Sequence, residues 1–566
     1  MALSDGCFNA ARRRLSGKQA FLEQLLADGV SCIFGNPGTT EQGLIDLLPD
    51  YPSISYYLAL HEGVAVGMAD SYARAARKPA LVQLHIAPGL GNAIGMLYNA
   101  RVGHSPLVVY VGQSPSRALF QEPYLSGDLV AMARPVTKWA AEVLKAVDIP
   151  QALRRAFKVA EEPPQGPVML SIPMDAFDEE GDMLIQPTSY VRWASPPPRG
   201  AVQEAATLLM AAKAPAIAIG DHVALSNGQA SVVELAELLG APILNAFSNG
   251  VNAPAGHPLY QPRGIPVSSK PLRRALEPHD VLLAVGTSLF PSIIPEPEGP
   301  IPEHTKVIHV DFDSWELGKN QAGCILVRAD PRETMLALTE EILSRATPAQ
   351  KEGWSRRRKS IEDASKDRRD KMMEMHRRMW DAVPISPHRL MAELAAALPP
   401  EAVVVDEALT SGASLEMYLQ PSEPWRRFRI RGGGIGGGMP GALGVQVAYP
   451  NRPVVGVVSD GASLYTITAL WTAAHHHLPV TYLLCNNRSY RILKQNLQEY
   501  RVPTDAGRPF VHMDLNDPYL DFVRLAEGFG VMARRVEAPD QIGPALKNAI
   551  ATDAPVLLDV VLDGTP

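Results

Sequence analysis

The fold turns on the stretch Val454-Val455-Gly456-Val457-Val458-Ser459-Asp460-Gly461. A run this short and this apolar, stopped by a small polar cluster, reads as a strand buried on both faces. A helical pattern follows through Trp471, and a second apolar run from Val480 to Cys485 stops at Asn486-Asn487. Strand, helix and strand in that order make a parallel pair whose carboxyl ends reach the same sheet edge, the edge where such sheets take ligands. Asp460 and Asn487 are therefore expected to converge. A carboxylate and an amide oxygen, with a backbone carbonyl and water, are hard oxygen ligands suited to Mg²⁺, which takes further oxygens from phosphate. The pair calls for a diphosphate.

The same rhythm extends outward in both directions. Strands are predicted at Ser31 to Phe34, Ala80 to His85, Leu107 to Gly112 and Pro167 to Ile172, with helices at Lys18 to Ala27, His61 to Arg77 and Gly89 to Ser105. Between Ile185 and Gly200, Pro196-Pro197-Pro198 and polar neighbours mark a linker. Further strands are predicted at Ala216 to Gly220, Val281 to Gly286 and Lys306 to Asp311, then at Ala402 to Val405, Pro453 to Val458, Val480 to Cys485 and Val556 to Val561. The charged run Gln350 to Arg378 mixes signs at helical spacing, so it reads as a solvated connecting helix. The predicted fold is α/β, with three doubly wound parallel-sheet domains at 1–190, 191–347 and 387–566 and a helical linker at 348–386. No internal repeat is visible in the sequence.

Composition narrows the function. The chain has 566 residues with 53 Lys and Arg against 60 Asp and Glu, a net charge of −7, so it carries no electrostatic footprint for nucleic acid or an anionic membrane. Cys7, Cys32, Cys324 and Cys485 are too scattered for a disulfide framework or a CxxC site. Arg12-Arg13-Arg14 is followed by Leu-Ser-Gly-Lys-Gln rather than by the apolar core of a signal peptide, and no long uncharged apolar stretch offers a membrane span. A cytoplasmic protein is expected. His475 to His477 carry no metal reading, because consecutive residues on a helix point about 100° apart.

Asp460-Gly461 and Asn486-Asn487, with 24 residues between them, resemble the signature of the thiamine-diphosphate enzymes, with Ser459 standing where that signature opens on glycine. Such an enzyme also needs a glutamate in its amino-terminal domain, and Leu58-Ala59-Leu60-His61-Glu62-Gly63 supplies Glu62 where a strand turns into a helix. The resemblance implies that Glu62 bonds N1′ of the aminopyrimidine and so promotes the tautomer that activates the thiazolium C2. It implies pyrimidine-binding, middle and diphosphate-binding domains in that order, with Mg²⁺ held by Asp460, Asn487 and the backbone carbonyl of Ser489. Gly461, Ala462, Tyr490 and Thr410 fall on the diphosphate side, although Leu409 replaces a hydroxyl residue there. In Gly432 to Gly438 the carbonyl of Gly433 falls at the pyrimidine amine, and Ile435 is the wedge beneath the bent cofactor. Active sites between the subunits of a homodimer or homotetramer are implied as well.

Phe34 to Glu41, Leu84 to Gly89 and Ala469 to Ala474 make the chain resemble benzoylformate decarboxylase more than the acetolactate synthases, which lack a histidine at the place of His85. The implied roles are contact with the substrate carboxylate for Thr39 and proton transfer for His85. The expected activity is decarboxylation of a small 2-oxo acid with release of an aldehyde. Carboligation, forming or cleaving an acyloin as acetolactate synthases or 2-hydroxyacyl lyases do, is the alternative. A second active-site histidine would fall near Ile293, but no histidine occurs from Gly286 to Glu303. Arg429, Ile492, Leu493 and Asn496 then make the expected pocket narrower and more polar, and Arg429 is a candidate partner for a second acidic group. Asp221-His222 and Val310-Asp311 look like remnants of a nucleotide site, but without a GxGxxG motif FAD is not expected.

Overall fold

The computed structural model describes residues 12–245, 249–261, 269–291, 297–501 and 507–565. The amino-terminal part contains β1 (Arg12–Ser16), β2 (Cys32–Gly35), β3 (Ser55–Leu58), β4 (Ala80–Leu84), β5 (Leu107–Gln113), β6 (Trp139–Glu142), β7 (Val168–Pro173) and β8 (Glu180–Leu184). β1 and β8 form a small antiparallel ribbon, and the other six strands make a parallel sheet in the order β3-β2-β4-β5-β7-β6. The middle part adds β9 (Pro215–Ile219), β10 (Ile243–Asn245), β11 (Tyr260–Gln261), β12 (Val281–Val285), β13 (Lys306–Asp311) and β14 (Ile325–Arg328), parallel in the order β11-β10-β9-β12-β13-β14. The carboxyl-terminal part has β15 (Val403–Glu407), β16 (Arg427–Arg429), β17 (Val454–Ser459), β18 (Val480–Asn486), β19 (Met532–Val536) and β20 (Val556–Val561), parallel in the order β16-β15-β17-β18-β20-β19.

The first and third six-stranded sheets follow one winding, with the first and third strands of each set adjacent at the point where the order reverses. The duplication invisible in the sequence is thus plain in the topology. Ligands of doubly wound sheets sit at that reversal, outside the carboxyl ends of the strands. In the first sheet it brings together the residues after β2 and β4, and in the third those after β15 and β17.

Two expectations need correction. The helix read from Asp460 through Trp471 is broken into a turn of helix at Asp460–Ser463, a 3₁₀ turn at Leu464–Thr466 and a helix at Ala469–His475. The break lets Thr466 Oγ1 donate 2.6 Å to the carbonyl of Gly436 and so tie this turn to the glycine loop. The histidine triplet does not share a helix either. His475 ends it, His477 lies at a φ of 50°, and His476 Nε2 accepts a 2.8 Å bond from the backbone N–H of Leu58 at the end of β3. Burial pushes the His476 imidazole down to about 4, which keeps it neutral and able to accept.

The connecting helix spans Pro348–Arg377, capped by Thr347, with Trp354 and His376 as its buried residues. The outer domains meet along a helix seam within one chain. Helix Glu62–Ala76 lies on helix Gly438–Ala448, and a Cβ added at Gly444 would stand 2.0 Å from the carbonyl oxygen of Met68. Glycine is required there for the backbones to touch. One apolar core runs through this seam, from Val64, Met68 and Tyr72 to Met439, Leu443 and Val458. Among the described residues, no helix is long and apolar enough to cross a membrane.

Candidate active site

The amino-terminal half of the site grows from the ends of β2 and β4. After β2 the chain runs through Asn36-Pro37-Gly38 into a 3₁₀ turn at Thr39–Glu41, while His85 follows β4. Glu41 is fully buried, and its carboxylate accepts from Gly38 N at 2.9 Å, Thr40 Oγ1 at 2.5 Å and His85 Nδ1 at 2.9 Å. The ring can come this close because residue 38 is glycine, where an added Cβ would lie 2.2 Å from His85 Nδ1. A carboxylate on Nδ1 fixes the tautomer of a neutral imidazole and leaves Nε2 as the basic nitrogen. Thr39 is exposed at the same turn. Sequence reasoning singled out His85 and missed Glu41, although Glu41 closes the segment that drew attention to Thr39.

Glu62 opens its helix and is 5% exposed. Its two carboxylate oxygens accept from Asn36 Nδ2 at 3.2 Å and Asn92 Nδ2 at 3.0 Å, both in the amino-terminal domain.

The carboxyl-terminal half forms around the ends of β17 and β18. Asp460 is 2% exposed; its Oδ1 accepts from Gly461 N at 2.8 Å and its Oδ2 from Arg488 N at 2.6 Å. Burial pushes its carboxyl up to about 6 against the pull of these N–H groups. Asn487 Oδ1 accepts from Ser489 N at 3.0 Å, and the Ser489 hydroxyl donates 3.0 Å to Met513 O, so the loop after β18 is held by its own hydrogen bonds. Asp460, Gly461, Ala462, Asn487, Ser489, Tyr490, Thr410, Ile435 and Ile492 line one cavity. Leu409 lines it too, at a φ of 47°. Among the described residues, every one lining this cavity comes from the carboxyl-terminal domain.

The glycine loop rims the same cavity. Gly433 is exposed at a φ of 89°, a region that favours glycine, and space is open where its Cβ would stand. Two side chains hold the loop. Asn99 donates 2.7 Å to Gly434 O and accepts 2.9 Å from Gly434 N, while the Glu407 carboxylate accepts from the N–H groups of Gly436, Gly437 and Gly438 at 2.8, 3.1 and 2.7 Å. Neither residue was singled out from the sequence, because a loop support has no motif of its own.

Three of the expected pocket residues do not line this cavity. Arg429 lies half exposed on edge strand β16 with its Nε 3.6 Å from Asp406 Oδ2, so its charge is already faced by a carboxylate. Leu493 and Asn496 are exposed on helix Arg491–Tyr500 and outside the cavity lining. Ile293 lies outside the described residues. In the middle domain the polar groups read as nucleotide-site remnants are engaged within the protein. His222 Nδ1 is 2.9 Å from Asp311 Oδ1, and Asp221 Oδ2 is 3.3 Å from Arg431 Nε.

Comparison with known proteins accords with this geometry. Family models of the thiamine pyrophosphate enzymes match in three places: the N-terminal TPP binding domain at residues 15–129, the central domain at 202–338 and the C-terminal TPP binding domain at 415–560. The chain is 32% identical to a benzoylformate decarboxylase of Pseudomonas aeruginosa over 96% of its own length and 98% of that protein. It is 28% identical to an acetolactate synthase isozyme 3 large subunit of Escherichia coli, covering 97% and 95% of the two chains. A solved thiamine diphosphate-dependent 4-hydroxybenzoylformate decarboxylase of Rhodococcus jostii superposes with a TM-score of 0.82 at 29% identity, over 97% of this chain and 99% of that one. The chain belongs to the thiamine pyrophosphate enzymes, the family that also holds benzoylformate decarboxylases and acetolactate synthases.

Proposed function

We propose that this enzyme is a Mg²⁺-dependent, non-oxidative decarboxylase of a small 2-oxo acid that releases an aldehyde. The observation that carries the reading is the pair of buried Glu41 and partly exposed His85, a positioned proton-transfer group on the sheet edge that Glu62 shares. The cofactor supplies, when bound, a nucleophilic carbon and a sink for the electron pair left as CO₂ departs. The protein's residues do the rest. Asp460, Asn487 and the Ser489 carbonyl would hold Mg²⁺ against the diphosphate, with Gly461, Ala462, Tyr490 and Thr410 around it. Two buried polar groups on this cavity with no partner among the described residues, Ser459 Oγ and Arg491 Nε, are what a site built for an oxygen-rich anion leaves unsatisfied.

Glu62 would hold a proton at N1′ of the pyrimidine, the Gly433 carbonyl would accept from its amino group, and Ile435 would prop the bend between the two rings. Thr39 would donate to the substrate carboxylate, and His85 Nε2 would deliver a proton to the carbon that CO₂ leaves. Ile492, from the cavity wall, would narrow the substrate pocket. The amino-terminal 190 residues thus serve the pyrimidine and residues 387–566 the diphosphate. Glu62 is bonded within the first domain and the cavity is lined by the third, which supports a homodimer or homotetramer whose partner subunit completes each site.

Carboligation is the second reading, favoured by the absence of any histidine between Gly286 and Glu303. Without a second proton donor, the acyl group stays available to an acceptor carbonyl. One experiment separates the two: purified protein with thiamine diphosphate and Mg²⁺ is given a panel of 2-oxo acids, with and without pyruvate or an acceptor aldehyde. Aldehyde and CO₂ without acceptor support decarboxylation, acyloin only with acceptor supports ligation, and neither product from any acid overturns both. Glu62→Gln should abolish turnover while largely sparing cofactor uptake.

A further inference from the structure

We infer that Arg491 and Ser459 form a second diphosphate clamp, a cation and a hydroxyl that grip the cofactor's anionic end in addition to the metal; the inference rests on the thiamine-diphosphate reading of the cavity. Both residues line the cavity that holds Asp460, Asn487 and Ser489. Ser459 is 6% exposed, and its hydroxyl is buried without a hydrogen-bond partner among the described residues. It stands at the cap position before Asp460–Ser463 yet makes no capping bond, so helix capping does not explain it. Arg491 opens helix Arg491–Tyr500, its Nε is buried without a partner, and among the described residues it makes no ion pair or ring contact. Buried donors in native proteins are nearly always satisfied, and two orphans on one cavity point to the same missing acceptor.

Charge says which acceptor. The one carboxylate among the described residues lining the cavity, Asp460, is bonded by the N–H groups of Gly461 and Arg488, so it is not the partner that Arg491 lacks. A diphosphate brings two to three negative charges and Mg²⁺ only two positive ones; with Asp460 ionised, the filled site stays net negative. Arg491 offsets that excess, and a planar guanidinium suits phosphate oxygens bidentately. Ser459 adds the donor that a glycine at the head of the signature would lack.

The test is calorimetric and needs no turnover. Thiamine diphosphate, and separately inorganic pyrophosphate, are titrated with Mg²⁺ into the wild-type protein and into Arg491→Gln, Arg491→Lys and Ser459→Ala. Arg491→Gln should weaken both ligands at least about tenfold and flatten the salt dependence of binding, Arg491→Lys should recover part of the loss, and Ser459→Ala should weaken both about fivefold. Circular dichroism of the apo variants confirms that they fold. If wild-type protein takes up no thiamine diphosphate, the functional reading itself fails. If it does and Arg491→Gln binds both ligands as tightly, the clamp is overturned. A variant that binds the cofactor normally but shows a raised KM for the 2-oxo acid also overturns it, placing Arg491 on the substrate instead.

Discussion

Asp221 and Arg431 form a buried ion pair, Oδ2 to Nε 3.3 Å, that fastens the middle domain to the residue just ahead of the glycine loop. The Arg431 guanidinium also donates to the carbonyl of Gly103 in the first domain, and Asp221 Oδ1 accepts from the N–H groups of Asn249 and Gly250, so all three domains meet at one charge pair. Burial alone would raise the Asp221 carboxyl, but Arg431 and the Gly250 N–H outweigh it and hold it at about 2. Asp221→Asn leaves Arg431 buried without its counter-ion and should cost about 3 kcal/mol, read as a lowered unfolding midpoint in urea. Because the folded value lies below the ordinary carboxylate value of 3.8, this stabilisation is present above that value and is lost as pH falls through about 2. An unchanged midpoint for Asp221→Asn at pH 7 would refute this account.

Under the proposed function, Glu41 acts on the chemistry through His85. Glu41→Gln keeps a hydrogen-bonding side chain in place but removes the negative charge that supports the imidazolium, so kcat should fall about 10- to 100-fold with little change in cofactor affinity. His85→Ala should cost about 10² to 10⁴. The double variant should be no worse than His85→Ala, because the two act as one unit. Additive losses in steady-state kinetics would separate the residues.

Glu407 makes stability depend on pH in the opposite sense. Burial pushes its carboxyl up to about 7 despite three N–H donors from the glycine loop. A folded value above the unfolded one means that its contribution is fully present below pH 4.5 and is lost as pH rises through about 7. Wild-type apoprotein should therefore lose thermal stability relative to Glu407→Gln between pH 5 and pH 8. Parallel Tm curves for the two proteins across that window would dismiss the argument.

At the helix seam, Gly444→Ala places a methyl group 2.0 Å from the Met68 carbonyl oxygen, a backbone atom that cannot swing away. Alanine favours helix by about 1 kcal/mol over glycine, but the clash should reverse the sign and destabilise by about 1–3 kcal/mol. Chemical denaturation measures the difference, and a stabilised variant would show that the two helices are not pressed together.

What could be read from the sequence follows from how the chain is buried. β5, β17 and β18 are buried along their whole length and appear as unbroken apolar runs. Several strands left unread lie at sheet edges, such as β6, β16 and β19, where Trp139-Ala140-Ala141-Glu142, Arg427-Phe428-Arg429 and Met532-Ala533-Arg534-Arg535-Val536 leave residues open to solvent; β10, inside its sheet, went unread because Ile243-Leu244-Asn245 is too short to stand out. The cavity residues carry a spaced motif, and Asp460 and Asn487, read from it, line one cavity at the ends of β17 and β18. Glu41 and His85 are 44 positions apart and become partners only at the reversal between β2 and β4. Position in sequence puts Arg429 near the glycine loop, while its strand runs along the sheet margin with Nε 3.6 Å from Asp406 Oδ2, a contact no motif announces.

Under the proposed function and assembly, a protomer whose Glu62 is bonded within its first domain, and whose diphosphate cavity is walled by its third, would own two halves of different catalytic centres. Under the proposed assembly, an inactive Glu62→Gln subunit paired with an inactive Asp460→Asn subunit builds one centre carrying both lesions and one carrying neither. Co-purified mixed dimers then regain work that neither parent performs, so defects at opposite ends of the cofactor can hide one another in a population of chains.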